Sequence, residues 1–167
     1  MTDFETLYAQ YSRDVFRFAL SLSGNLAMAE DITSETFVRV WMARDRLDLG
    51  TVIGYLMTIA RHLYLEQLRH DRGRGEFASD PPDGSPGPHA LAEGRSELDA
   101  VLADLQALPE LDRAALLMRA QERLSYEEIA AALGIGAGAA KTKVHRARRR
   151  IAELRIHREE NREKRHT

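Results

Sequence analysis

Cysteine is absent from the 167 residues of the chain. Its absence excludes a disulfide framework, a thiolate metal site and a cysteine nucleophile, and makes the reducing cytoplasm the natural compartment. Long apolar runs are missing too. No stretch approaches the roughly 20 residues of a membrane-spanning helix, and Met1, Thr2, Asp3, Phe4 and Glu5 lack the basic start and apolar run of a signal peptide. Proline is scarce and confined: Pro81, Pro82, Pro86 and Pro88 are four of only five, and they sit among Gly73, Gly75, Gly84, Gly87 and Gly94. That segment is a linker with no means of forming a core. Alternating strand patterns and internal repeats are also lacking.

What remains is a hydrophobic fraction of 44% and a charged fraction of 30%, enough apolar material for compact cores in one ordinary domain or two very small ones. The net charge of −2 conceals an asymmetry. Residues 76–112 carry 1 basic and 9 acidic side chains, whereas 141–167 carry 11 basic and 4 acidic ones. A phosphate feels the field within about a Debye length, roughly 8 to 10 Å, so the local basic zone matters more than the total.

Apolar residues recur at steps of three and four. Phe4, Leu7, Tyr8, Tyr11, Val15, Phe18, Ala19 and Leu22 predict a first helix over about 3–22. Asn25 caps a second, which carries Met28, Ile32, Phe37, Val40 and Trp41 to about Ala43, and a third spans about 51–69. Beyond the linker, Ser96 is placed as the cap of a helix to about Ala107, and Pro109 suits the first turn of one ending near Glu122. Ser125 with Glu128 three residues on is a capping box for 126–133. A final helix is expected from about Ala137 to Leu154, burying Ala140, Val144, Ala147, Ile151 and Leu154. The expected fold is all-α, two small helical domains joined by a flexible linker.

A short helix, a turn of Gly134, Ile135 and Gly136, and a basic second helix have the spacing of a helix-turn-helix, whose second helix enters the DNA major groove. Lys141, Thr142, Lys143, His145 and Arg146 are then offered to DNA, the cations to phosphate and guanine, Thr142 to base or backbone. Gly134, Gly136, Gly138, Lys141 and Thr142 imitate a phosphate loop, but its spacing requires Gly at Ala140 and a preceding strand. His62, His70, His89, His145, His157 and His166 form no pair at metal-ligand spacing with carboxylate support. No Ser, His and Asp set stands out. No metal, cofactor or catalytic residue is assigned, and the expectation is a protein that is not an enzyme.

Three stretches in order carry a resemblance: Ala29-Glu-Asp-Ile-Thr-Ser-Glu-Thr-Phe-Val-Arg-Val-Trp41; Tyr55-Leu-Met-Thr-Ile-Ala-Arg-His-Leu63 with Leu68 and Arg69; and Leu108-Pro-Glu110 through Leu124-Ser-Tyr-Glu-Glu-Ile-Ala130 to Lys141-Thr-Lys-Val-His-Arg-Ala-Arg148. Together the chain resembles the extracytoplasmic-function sigma factors of the sigma-70 family. The resemblance implies a three-helix region 2 over 1–72, a linker over 73–94, a four-helix region 4 over 95–155 and a charged tail over 156–167. It implies that Asp31, Ser34 and Glu35 dock on the clamp of the largest subunit of core RNA polymerase, Ser34 standing where Gln is usual. The loop Arg44–Val52 and the third helix would melt the minus-ten element and trap a flipped base, with Arg61, His62, Arg69, Arg72 and Arg74 on the strand; His62 replaces Asn, and Tyr55 replaces Trp in the core. Lys141, Thr142, Lys143, His145 and Arg146 would read the minus-thirty-five element, while region 4 meets the flap of the second-largest subunit. An anti-sigma factor is the implied regulator. The alternative, resting on 125–150 alone, is an autonomous dimeric helix-turn-helix regulator.

Overall fold

The computed structural model describes residues 3–43, 52–73 and 93–167. Among them the chain forms seven helices and no strand: α1 (Phe4–Ser23), α2 (Leu26–Met42), α3 (Val52–Gly73), α4 (Glu93–Gln106), α5 (Glu110–Ala120), α6 (Tyr126–Leu133) and α7 (Ala137–Arg165). The fold is all-α, three helices before the proline-rich stretch and four after it. Most of the loop expected to melt DNA, the proline-rich stretch and Arg74 lie outside the described residues.

The first three helices close on the stripe read from the sequence. Leu7, Val15, Phe18, Ala19 and Leu22 of α1 are buried with Ile32, Phe37 and Val40 of α2 and Leu56, Met57, Ala60 and Leu63 of α3. Gly24 ends α1 at φ 68°, its N–H donating to the Leu20 carbonyl, and Asn25 starts α2 by accepting from the Met28 N–H at 2.9 Å. Buried Thr33 and Thr36 donate back to Ala29 and Ile32 carbonyls at 2.7 Å, so neither hydroxyl is stranded.

In the second group the capping box is complete: the Glu128 N–H donates to Ser125 Oγ at 3.1 Å and the Ser125 N–H to Glu128 Oε1 at 3.0 Å. Gly134, at φ 69°, stops α6. Ile129, Ala130, Leu133, Ala140, Val144 and Ala147 fill the angle between α6 and α7, with Ile135 partly buried beside them. The α5–α6 turn places Arg123 at φ 54° and is held by Arg119, which lies 4.6 Å over the Tyr126 ring and donates to the Leu124 carbonyl.

Several expectations need correction. Helix α4 begins at Glu93, so Ser96 lies inside it rather than capping it. Helix α3 continues to Gly73, its last turns joined by Gln67 donating to Asp71. Helix α7 does not stop at Leu154 but runs to Arg165, because polar contacts such as Arg150–Glu153 and Arg158 to the Ala100 carbonyl replace the apolar stripe. Ile151 and Leu154 are only half-buried. Tyr55, expected in the core, is 39% exposed, since Gly54, Leu56 and Met57 occupy the buried face of that turn.

The two groups of helices pack against each other. Arg113, buried on α5, donates to the carbonyls of Leu105 and Leu108 in its own group and to the Leu22 carbonyl and Tyr64 hydroxyl of the first. This arrangement decides which of the expected site residues face solvent.

Candidate nucleic-acid and docking surfaces

Helix α2 turns Asp31, Ser34 and Glu35 to solvent. Steps of three and four carry the same face on to Val38 and Met42, which are exposed although apolar. Glu35 lies 3.6 Å from Arg39, and Arg39 reaches Glu66 of α3 at 3.2 Å, fixing the edge of this stripe. Phe4 packs edge-on against Trp41 and Tyr8 against Phe37, with ring centroids 5.0 and 4.9 Å apart, so the end of α2 is pinned to the start of α1. Sequence reasoning stopped at the carboxylates. Val38 and Met42 were legible from the same spacing, one turn further along.

On α3, His62, Arg69 and Arg72 are exposed and line an open groove of about 560 Å³ with Arg39, Leu65, Glu66 and Leu68. Three basic arginines and an imidazole around a shallow apolar floor suit a polyanion carrying flat bases. Arg61 does not join them. One position back is a rotation of about 100° on a helix, and Arg61 faces the second domain. Its Nε and Nη2 donate to the two carboxylate oxygens of Glu110 at 2.7 and 2.9 Å, and its side chain is 12% exposed.

On α7, Lys141, Thr142 and His145 are exposed. The Thr142 hydroxyl donates to the Gly138 carbonyl at 3.0 Å, which leaves its oxygen outward as an acceptor. Lys143 and Arg146 turn partly back to Asp112 of α5. Arg146 donates to both carboxylate oxygens at 2.9 and 3.2 Å, and Lys143 Nζ lies 3.6 Å away. Those two hydrogen bonds and the adjacent negative charge hold the Arg146 guanidinium still further above its ordinary value. Asp112 is buried, while Arg146 keeps more than half of its side-chain surface open. One carboxylate therefore sets the angle of two cations on the basic helix. The sequence gives no sign of this, because 34 residues separate Asp112 from Arg146 and an acid in a first helical turn reads as an ordinary dipole contact.

No helix among the described residues is long and apolar enough to cross a membrane. The chain matches the family model of sigma-70 region 2 over residues 7–74 and that of sigma-70 region 4 over residues 98–151. It is 37% identical over 160 residues to the ECF RNA polymerase sigma factor SigE of Mycolicibacterium smegmatis, an alignment covering 92% of this chain and 62% of that protein. It is 36% identical over 153 residues to the RNA polymerase sigma factor CarQ of Myxococcus xanthus, covering 90% of this chain and 88% of CarQ. Among solved structures, the sigma factor RpoE of Bartonella quintana, in complex with the anti-sigma factor NepR, superposes with a TM-score of 0.75 at 29% identity over 92% of this chain and 97% of RpoE. Two regions of one family, matched in order on either side of the proline-rich stretch, and relatives aligned over nine tenths of the chain place this protein in the extracytoplasmic-function group of the sigma-70 family.

Proposed function

We propose that the chain directs core RNA polymerase to a particular promoter set and opens the DNA there, as a specificity subunit that performs no catalysis of its own. The observation that carries this reading is the pairing, in one chain, of an exposed acidic and apolar stripe on α2 with a separate exposed basic face on α7. An autonomous helix-turn-helix regulator has no use for the first.

In this reading Asp31, Ser34 and Glu35, with Val38 and Met42 beside them, dock on the polymerase clamp, and the second domain meets the flap. His62, Arg69 and Arg72 line the path of the non-template strand at the minus-ten element, with Arg74 on the same track and Arg61 contributing once released from Glu110. Unstacking a base costs a few kcal/mol, which the basic groove and the apolar floor beneath it offset. Lys141, Thr142, Lys143, His145 and Arg146 read the minus-thirty-five duplex. RpoE, a relative of similar fold, is held by an anti-sigma factor, and we assign this chain a regulator of the same kind, acting in the cytoplasm.

Reconstitution with core polymerase and run-off transcription tests the proposal, using promoters identified from transcript starts after induced expression. Polymerase-dependent initiation at a shared two-part element is expected, and Asp31→Lys lowers core binding while leaving duplex binding by the second domain intact. Tight palindrome binding without polymerase, and no affinity for core, would refute it.

A further inference from the structure

Asp112 of α5 is 2% exposed, and Arg113, Ala114, Ala115, Leu116 and Leu117 beside it are buried as well. Packing alone does not call for a charge at this position, because a buried ion pair can often be replaced by apolar residues without loss of stability. The work of the carboxylate is decided by its two partners, Arg146 and Lys143, both on the basic helix α7.

A guanidinium carries five N–H donors in two forks, one side-on from Nε and Nη2 and one end-on from Nη1 and Nη2. Asp112 occupies the first: Arg146 Nε donates to Oδ2 at 2.9 Å and Nη2 to Oδ1 at 3.2 Å. The end-on fork is left free, on a side chain with 59% of its surface open. Both ends of this link are anchored. Val144 and Ala147, close on either side of Arg146, are wholly buried, and Arg113, next to Asp112, donates to the Leu105 and Leu108 carbonyls.

At about 100° per residue, Lys141, His145 and Thr142 follow one another around the outward side of α7, and Arg146 and Lys143 come next, on the flank that meets α5. A helix with its side chains is about 10 to 12 Å across and the major groove about 12 Å wide, so the flanks of a helix in the groove meet its phosphate walls. Contacts to phosphate fix register, while contacts to base edges specify sequence. A fork held at one angle takes up a phosphate in one register of helix on duplex, whereas a swinging cation takes up many.

We propose that Asp112 is a positioning residue for duplex recognition by α7. It aims the free fork of Arg146 at one backbone phosphate of the minus-thirty-five element, and by offsetting charge on the helix it keeps other DNA weakly held. The element is named from the sigma-factor reading, on which this inference rests; the aimed fork is a property of α5 and α7 alone.

The test compares two duplexes, the preferred site that the full-length chain selects from a random pool and the same duplex with that site scrambled. Binding of the full-length chain is read by fluorescence anisotropy over a range of salt concentrations. Asp112→Asn keeps the shape of the side chain without its charge. Its affinity for the scrambled duplex is expected to rise about threefold, with a salt slope steeper by up to about one unit, while its affinity for the preferred site does not rise. Unfolding cannot strengthen binding to any DNA. Asp112→Glu returns the charge and both acceptors at a longer reach and recovers part of the preference. In the Arg146→Ala chain, Asp112→Asn leaves the preference unchanged, since the residue it acts through is gone. An equal rise on both duplexes would reduce Asp112 to its charge, and a fall on both, in step with the folded fraction seen by circular dichroism, would reduce it to a structural contact. A preference that still drops without Arg146 would show that Asp112 acts through another group. Each of these overturns the proposal. Core polymerase binding is assayed separately, so its failure refutes the sigma-factor reading and leaves this comparison, made on the chain alone, intact.

Discussion

Gly134 and Gly136 flank the turn of the helix-turn-helix under opposite constraints. Gly134 sits at φ +69°, where a side chain is strained even though the space beside it is open. Gly136, the N-cap of α7, has φ −77° and equally open space, so any residue fits. Gly134→Ala is expected to destabilise by about 1 kcal/mol, whereas Gly136→Ser stabilises by about 0.5 to 1 kcal/mol through a better cap and a less flexible unfolded chain. Thermal melts of the two variants check this, with about 2 to 4 °C per kcal/mol at this chain length; shifts of the same sign would contradict the cap geometry. A second pair separates folding from binding on the basic helix. Lys141→Ala and Arg146→Ala should each weaken duplex binding and reduce the salt slope by about one unit per lost phosphate contact. Only Arg146→Ala should also lower the melting temperature, because it leaves buried Asp112 with the more distant Lys143 alone. An unchanged salt slope would remove the residue from the DNA interface. The glycines were legible because turn chemistry is local. Asp112 was not, because its meaning exists only once α5 and α7 cross.

At the scale of elements, apolar periodicity located α1, α2, α3 and α7, and cap residues and Pro109 located α4, α5 and α6; the bounds erred where polar contacts extend a helix past its apolar stripe. Helix α7 shows this most clearly. Its apolar stripe thins out at Leu154, yet Arg158 binds the Ala100 carbonyl and the largely buried Asp104 of α4, 58 and 54 residues away in sequence. The second half of α7 is therefore a strap across α4. Truncation after Arg155 should leave Asp104 without this partner and loosen α4, so that its amide hydrogens exchange faster while those of α6 keep their protection. Unaltered exchange in α4 would show that the strap contributes nothing. By contrast, Ser125→Ala breaks the capping box at the start of α6 and should cost about 1 kcal/mol in a melt, leaving α4 exchange unchanged. Sequence alone assigned the capping box correctly because both partners lie three residues apart.

For the whole molecule, the docking of the two domains was illegible in the sequence, since some of its contacts run from the Gln106 and Arg113 side chains to backbone carbonyls, which no residue pattern marks, and its ion pair joins Arg61 to Glu110 across 49 residues. Its pH response follows from Glu122. Burial first, and then the negative charge of Asp14, raise this carboxyl above its ordinary value, and Arg17 only partly opposes them; Asp14 and Arg17, both on α1, are the charged groups facing it. A carboxyl with a higher pKa in the docked state than when free binds its proton more tightly there. Docking is therefore penalised at neutral pH, and the penalty fades as pH falls through the raised value toward the ordinary 4.5. Energy transfer between dyes placed by Glu30→Cys and Arg149→Cys, which reads the approach of the two domains, should rise as pH is lowered from neutral toward the ordinary carboxylate range. Glu122→Gln keeps the shape of the side chain without the charge, so it should be closed more tightly than the parent at neutral pH and lose most of that rise. If the glutamine variant follows the same pH curve as the parent, another group governs the docking.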